Sequence, residues 1–335
     1  MKITIVDTVK TQESEDFIAK LVDLGFSIHI SEEKTKANWS FKITPELFIH
    51  QENASLFEKS SIEYFFNQLP FDFDALPDMI EGESKIIKKL TDKIVIEKFK
   101  PTVYSYTNNR YGIADGTDNV RLKFSAELYR QLAHYTDTID NIPVSSFVAE
   151  VKNEQGHFMI QQKVNSCNLE IRIKRYHIGS PLHRYKYTEE YSTVIGDKKP
   201  LVKWSRFEFP VVCFDWRNPL KDHEGNRLAD EPISDDYAMI WMNNVPYAKE
   251  MARNLFLWIE DLFFQKGIVL IDMCIFVDES GKLIYGEVSP DCMRIRWDSA
   301  DLENSKPLCK DNWRKGNSSD ELLAQYNNLY DIIFG

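Results

Sequence analysis

Three things are scarce in this sequence, and each narrows what the chain can be. Cysteine is the first: five occur in 335 residues, an odd number with no C-x-x-C pair. That argues against a disulfide framework or a zinc site and points to a reducing, cytoplasmic setting. Long apolar runs are the second. None reaches eighteen residues, and the first residues lack the charged-then-apolar order of a signal peptide, so neither a spanning helix nor secretion is expected. Positive charge is the third. The 41 Lys and Arg face 52 Asp and Glu, a formal net charge of −11. This excludes general binding to nucleic acid or an anionic membrane but leaves room for a local basic pocket. Repeats and low-complexity tracts are absent too, which sets aside solenoids and disordered linkers.

What is present is the material of a core: 43% hydrophobic and 13% aromatic residues, in a chain long enough for one large domain or two ordinary ones. The opening reads as a small α/β unit. Ile3–Val6 is a strand, Phe17, Ile18, Leu21 and Val22 share a helical face that Gly25 ends, and Phe26–Ile30 is a strand. No G-x-G-x-x-G follows the first strand, so a structural or docking role is expected there. Ser55 to Gln68 reads as a helix, and Leu69 to Met79, with Pro70, Pro77 and three aspartates, as a linker.

The richest stretch is Gly286 to Asp298, with acids at 287, 291 and 298, arginines at 294 and 296, Ser289 and Pro290. It follows a hairpin signal: the β-branched run Ile268–Val277, the turn Asp278–Gly281, then Lys282–Val288. With a four-residue loop, Val277 faces Lys282, Cys274 faces Tyr285 and Asp272 faces Glu287. Two carboxylates directly opposed sit about 5 Å apart and repel. A metal ion or a cationic neighbour would relieve that, whereas a register shift would send one acid to solvent.

Other candidates are spread along the chain. Gly82 and Lys85 sit in a predicted hairpin completed by Ile94–Phe99, either a phosphate cover or an ordinary hairpin. Residues 100–119 form a polar loop with Asn108, Asn109, Arg110, Asp115 and Asp118. Lys174 to Arg184 gathers cations, two histidines and the Gly179-Ser180 turn, which suits an anion site or a solvated basic loop. Asp230–Asp236 is an acidic loop. Pro246–Lys266, capped by Asn244, is the clearest helix, with Tyr247, Met251, Leu255, Trp258 and Leu262 expected as its buried stripe. Val120–Leu132 and Glu321–Phe334 are further helices, and Phe158–Val164, Cys167–Lys174 and Trp204–Trp216 are strands.

Ser289-Pro290-Asp291-x-x-Arg294, then Trp297-Asp298, then Lys310-Asp311-x-x-Arg314 resembles the C-terminal signature of SAICAR synthetase, the ATP-dependent amide ligase of purine biosynthesis. The likeness runs from about Glu81 to Arg314. Gly82-x-x-Lys85 is similar to the family's G-K-x-K start. Leu169-Glu170, Lys174 and Gly179-Ser180 through Arg184 are similar to its ribonucleotide-phosphate segment. Asp230-Glu231-Pro232 resembles its acidic loop, and Asp272 falls on the aspartate of its D-x-K-x-E strand. Departures are Glu83, Cys274, Phe276, Gly286 and Lys174, where the family has lysine, lysine, glutamate, aspartate and arginine. Residues 100–118 also lack its D-x-x-x-G-D-G pattern.

The resemblance implies an α+β, SAICAR synthetase-like (ATP-grasp or kinase-like) two-lobed body. Its lobes are expected at about 80–165 and 166–335, behind an extra α/β module at 1–75. It implies ATP contacts at Gly82, Lys85 and Lys163, and a ribonucleotide held by Lys174, Ser180, Arg184, Arg294 and Arg314. Asp272, Glu287, Asp291 and Arg294 are the expected catalytic set, with Mg2+ on Glu287 and Asp272. Phe276 and Gly286, which replace family acids, count against that metal. Expected partners are a ribonucleotide and an amine, with no nucleic acid or membrane, and a homo-oligomer is compatible. The implied function is carboxylate–amine ligation through an acyl phosphate. The alternative is a diverged paralogue that binds a phosphoribosyl ligand without MgATP-dependent ligation.

Overall fold

The β-branched and aromatic runs become the long strands, and the helices cover their apolar faces. The computed structural model describes residues 2–7, 12–31, 40–43, 47–50, 55–58, 62–105, 110–135, 144–179, 185–196, 198–218, 220–225 and 228–335. Packing divides the chain into two units, one of residues 1–100 with 146–163, the other of 101–145 with 164–335.

The first unit holds two five-stranded sheets. One runs Ser27–Ser31, Lys2–Asp7, Ser40–Ile43, Leu47–His50, Ser55–Glu58, with the first two pairings parallel and the rest antiparallel. The other is antiparallel throughout, in the order Phe147–Asn153, Gly156–Gln162, Ile94–Phe99, Lys85–Lys89, Asp78–Glu81. Helix Gln12–Asp23 ends at Gly25, whose φ of 84° no β-carbon favours, with Phe26 N–H returning to Leu21 O at 3.1 Å. Phe17, Leu21, Phe26, Phe65 and Phe66 pack with Ile94, Ile96 and Phe158 in one core. The expected helix over 55–68 is a strand followed by a helix, Ile62–Gln68. Ser55–Glu58 instead finds ladder partners on Leu47–His50. The expected linker 69–79 is packed: Leu69 and Phe73 are buried, and the Phe73 ring lies 4.9 Å from that of Phe158.

The second unit is built on a seven-stranded sheet. Its path is Val144–Ser145, Leu283–Tyr285, Ile268–Asp278, Ser166–Tyr176, Arg206–Trp216, Glu231–Ile233, and Met293–Trp297 pairs with the other half of Ile268–Asp278. Helix Val245–Phe264 lies on this sheet, its start fixed by Asn244 accepting from Tyr247 N–H at 3.2 Å. Its buried stripe is rotated from the expected one. Ala248, Ala252, Phe256, Ile259 and Phe263 join Met251 and Leu255, and Tyr247, Trp258 and Leu262 are half-buried. Helix Thr117–Tyr135 packs against Ser319–Phe334 through Phe124, Tyr330 and Phe334. It therefore belongs with the second unit, and the expected continuous lobe 80–165 is interrupted by it.

Ser318 and Glu321 form a reciprocal capping box at the start of Ser319–Phe334. Ser318→Ala is expected to cost about 1 kcal/mol, read as a drop in the urea midpoint. No change would mean that the cap is replaced by water.

Candidate functional site

The hairpin register differs from the count outward from a four-residue loop. Phe276 pairs with Tyr285 and Val277 with Ile284. The cause is Asp278, whose Oδ1 accepts from Lys282 N–H at 3.2 Å and Leu283 N–H at 3.0 Å and so holds a longer turn. Asp272 consequently does not face Glu287. It lies between two cationic neighbours, paired with Lys174 on one adjacent strand and Arg294 on the other.

Period-two alternation brings these three side chains into one row across three strands. Lys174 Nζ donates to Asp272 Oδ2 at 2.5 Å, and Arg294 Nη1 donates to the same oxygen at 2.6 Å. Arg294 Nε lies 3.4 Å from Asp311 Oδ2, Arg296 Nη2 3.5 Å from it, and Arg314 Nη1 2.6 Å from Asp311 Oδ1. Four cations, Lys174, Arg294, Arg296 and Arg314, thus share two carboxylates, Asp272 and Asp311. Burial alone would raise the carboxyl of Asp272, but Arg294 and Lys174 outweigh it and hold it below the usual carboxylate range.

Next to this cluster, Asp291 accepts from Lys310 Nζ at 2.8 Å and from the Tyr326 hydroxyl at 3.1 Å. Burial pushes Asp291 up, while Lys310, Arg121 and Arg314 pull harder and bring it to about 2. A group lowered in this way supplies stability above its ordinary value of 3.8 and loses it as pH falls toward about 2. The urea midpoint of wild type should therefore fall more steeply below pH 4 than that of Asp291→Asn. Parallel profiles would contradict this.

The two acids of the cluster, its four cations, Asp291 and Lys310 line a cavity of about 870 Å³, all of whose lining residues belong to the second unit. Glu170, Arg172 and Cys274 extend its wall, and Trp204 and Arg296 close one side, with the guanidinium 5.1 Å from the centre of the indole ring. Gly179 lies against Arg294: its φ is 79°, and a β-carbon there would stand 2.7 Å from Nη1. Gly179→Ala is expected to displace Arg294 and to cost about 1–2 kcal/mol in backbone strain alone. A crystal structure of the variant with Arg294 unmoved would refute it. A cavity with this excess of fixed cations and a glycine turn is suited to a phosphate or carboxylate.

Of the residues expected at a site, Lys174, Asp272, Asp291, Arg294 and Arg314 come together here. Ser180 and Arg184 lie outside the described residues, as do Asn108 and Asn109. Gly82, Lys85 and Lys163 belong to the first unit. There Gly82 N–H bonds Lys85 O at 2.8 Å, Lys85 Nζ lies 3.3 Å from the buried Glu97, and Lys163 is exposed. Asp230 accepts from Asn218 N–H at 2.9 Å at the cavity margin.

Glu287 is buried and is not among the lining residues. Its two oxygens receive Arg121 Nε at 2.8 Å and Nη2 at 2.9 Å, and Ser289 Oγ donates to Oε1 at 2.5 Å. The expected magnesium pair, Asp272 with Glu287, therefore has both acids engaged by protein cations. Among the described residues no group of three or more His, Cys, Asp or Glu could hold a metal ion, and Asp272 and Glu287, each already paired with a protein cation, do not fit one as they are arranged. Arg121 and Tyr326 were missed from the sequence. Their signal was spacing: Arg121 falls with Ser125, Leu128 and Leu132 on one helical face, and Tyr326 with Leu322, Leu329 and Ile333.

No helix among the described residues is long and apolar enough to cross a membrane. All five cysteines are free thiols. Burial pushes that of Cys309 up to about 11.

Comparison with known proteins agrees with this architecture. The phosphoribosylaminoimidazole-succinocarboxamide synthase of Methanocaldococcus jannaschii is 25% identical over 257 residues, covering 74% of this chain and 90% of that one. The bifunctional cordycepin biosynthesis cluster protein 3 of Cordyceps militaris is 23% identical over 301 residues, 77% of this chain but 33% of that one. The SAICAR synthase structure from Saccharomyces cerevisiae, complexed with SAICAR, matches with a TM-score of 0.56 at 17% identity, over 79% of this chain and 97% of that one, and so shares the fold. The model of the SAICAR synthetase family matches residues 79–328, and the chain belongs to that family.

Proposed function

We propose that this protein is an ATP-dependent carboxylate–amine ligase acting on a phosphorylated, ribonucleotide-like substrate. The observation that carries the reading is the set of four cations on two carboxylates beside the Gly179 turn. An anionic ligand entering there meets guanidinium forks already aimed by Asp272 and Asp311. Neighbours of the same fold carry ADP or SAICAR in their structures. A substrate carboxylate oxygen would attack the terminal phosphorus of ATP, releasing ADP. The amine nitrogen would then attack the acyl carbon, phosphate would leave with the C–O bond electrons, and the nitrogen would lose a proton. This chain's contribution is positioning and charge. Lys174, Arg294 and Arg314 hold the anionic groups, Asp291 orients Lys310, and Lys85 is the first unit's candidate for ATP phosphate.

A second reading, a phosphoribosyl-binding paralogue without ligation, has one specific observation behind it. Phe276, where the family carries glutamate, lies 5.8 Å from the Tyr285 ring, with Arg217 5.0 Å from its own ring centre. An aromatic ring thus stands where the family carries an acid, with Tyr285 and Arg217 beside it and Glu170 opposite it on the next strand. Calorimetric titration with ATP and with an aminoimidazole ribonucleotide separates the two. The ligase reading expects both to bind, and sustained ADP release, beyond a single turnover, only when carboxylate and amine substrates are both supplied. Ribonucleotide binding with no ATP binding at millimolar concentration would leave the second reading.

A further inference from the structure

Helix Thr117–Tyr135 delivers three groups to one loop. Arg121 grips both oxygens of Glu287 through Nε and Nη2, Ser125 Oγ accepts from Val288 N–H at 3.1 Å, and the Tyr129 hydroxyl donates to Gly286 O at 2.9 Å. Arg121 is fully buried and also donates to Thr102 O at 3.3 Å. Its positive charge acts on Asp291 as well. A guanidinium therefore stands where both Glu287 and Asp291 feel a cation.

The geometry points to Arg121 as a built-in counter-charge, a positioning residue that occupies on Glu287 the place a divalent ion would need. The Gly286–Asp291 loop is then shaped by a fixed guanidinium and not by a metal. A planar fork satisfies both carboxylate oxygens at once, and its charge does not depend on ion concentration. Magnesium arriving with a nucleotide would have to displace a buried, bidentate partner to reach Glu287. The loop ends in Asp291, which holds Lys310 at the cavity. In this way Arg121 acts on the site through Glu287 without touching a ligand. The inference rests on the proposed function only for what the cavity binds. The state of Glu287 is a property of the protein alone.

The test uses Mn2+ as the probe, followed by electron paramagnetic resonance on the full chain, without nucleotide and with ADP. Wild type and Glu287→Gln should take up Mn2+ with affinities within twofold of each other, including the case in which neither takes up any. Arg121→Gln, with its fold confirmed by circular dichroism, should gain at least tenfold in Mn2+ affinity, and the Arg121→Gln, Glu287→Gln double variant should lose that gain. Arg121→Lys keeps the charge and should show no gain. A tenfold or larger loss of Mn2+ affinity in Glu287→Gln overturns the inference, as does a folded Arg121→Gln with no gain. If Arg121→Gln does not fold, the comparison of wild type with Glu287→Gln decides alone. None of these readouts involves turnover, so a failed ligase assay leaves the result intact.

Discussion

Arg121→Ala should lower the unfolding free energy by about 3–5 kcal/mol, the cost of leaving a buried carboxylate without its cation. Three features place it at the upper end of what single substitutions do. The pair is bidentate at 2.8 and 2.9 Å, Arg121 has no exposure, and the Glu287 side chain is 7% exposed. Water cannot replace the lost donors without opening the contact between helix Thr117–Tyr135 and the 286–291 loop. An apolar double replacement, Arg121→Met with Glu287→Leu, should recover most of the loss, because it removes both desolvation penalties together. Chemical denaturation of the three proteins decides. A loss below 1 kcal/mol in Arg121→Ala would mean that Glu287 is solvated in the folded state. A double variant no more stable than Arg121→Ala would mean that packing, not charge, is what the pair supplies.

Arg294→Ala should weaken binding of an aminoimidazole ribonucleotide by about 100-fold, with a smaller effect on folding. Charge-assisted hydrogen bonds contribute about 1.5–3 kcal/mol each, and Arg294 is bonded to Asp272 and also close to Asp311. Asp272 keeps Lys174 and Asp311 keeps Arg314, so neither acid is stranded and the fold should survive. Arg294→Lys should fall between, since a point charge cannot span both acids. Calorimetry on the three proteins reads this directly. Affinity within threefold of wild type in Arg294→Ala would remove the cluster from the binding site.

The strands and helices around this cluster were legible because their residues repeat at the right period. Ile268–Asp278 is an apolar run with five β-branched residues in eleven, and Val245–Phe264 begins with an asparagine cap and a proline. Register was not legible, because a side chain set it: Asp278 takes two backbone N–H groups from the turn, and counting outward from the turn cannot see that. Lys174, Asp272 and Arg294 were each readable from local motifs. Their convergence depends on three strands pairing at one level, and no stretch of sequence states it. Arg121 illustrates the opposite failure. Its spacing put it on the buried face of its helix, yet a lone charged residue in a helix is ordinarily solvated, and its partner lies far away in sequence. Ser55–Glu58 was read as helix because its apolar residues fit either period in so short a run.

The bond from Tyr326 to Asp291, and that from Gln325 to the carbonyl of Cys309 at 2.5 Å, have a consequence for the order in which the protein assembles. Asp291 and Lys310 are made before helix Ser319–Phe334 during synthesis, but their arrangement at the cavity is completed by it. Arg121, made much earlier, waits for Glu287. Contacts so distant in sequence form late and slowly. A nascent chain in which residues 319–334 have not yet docked would have its sheet and the row Lys174, Asp272 and Arg294 in place, with Asp291 and Lys310 beside it still unset.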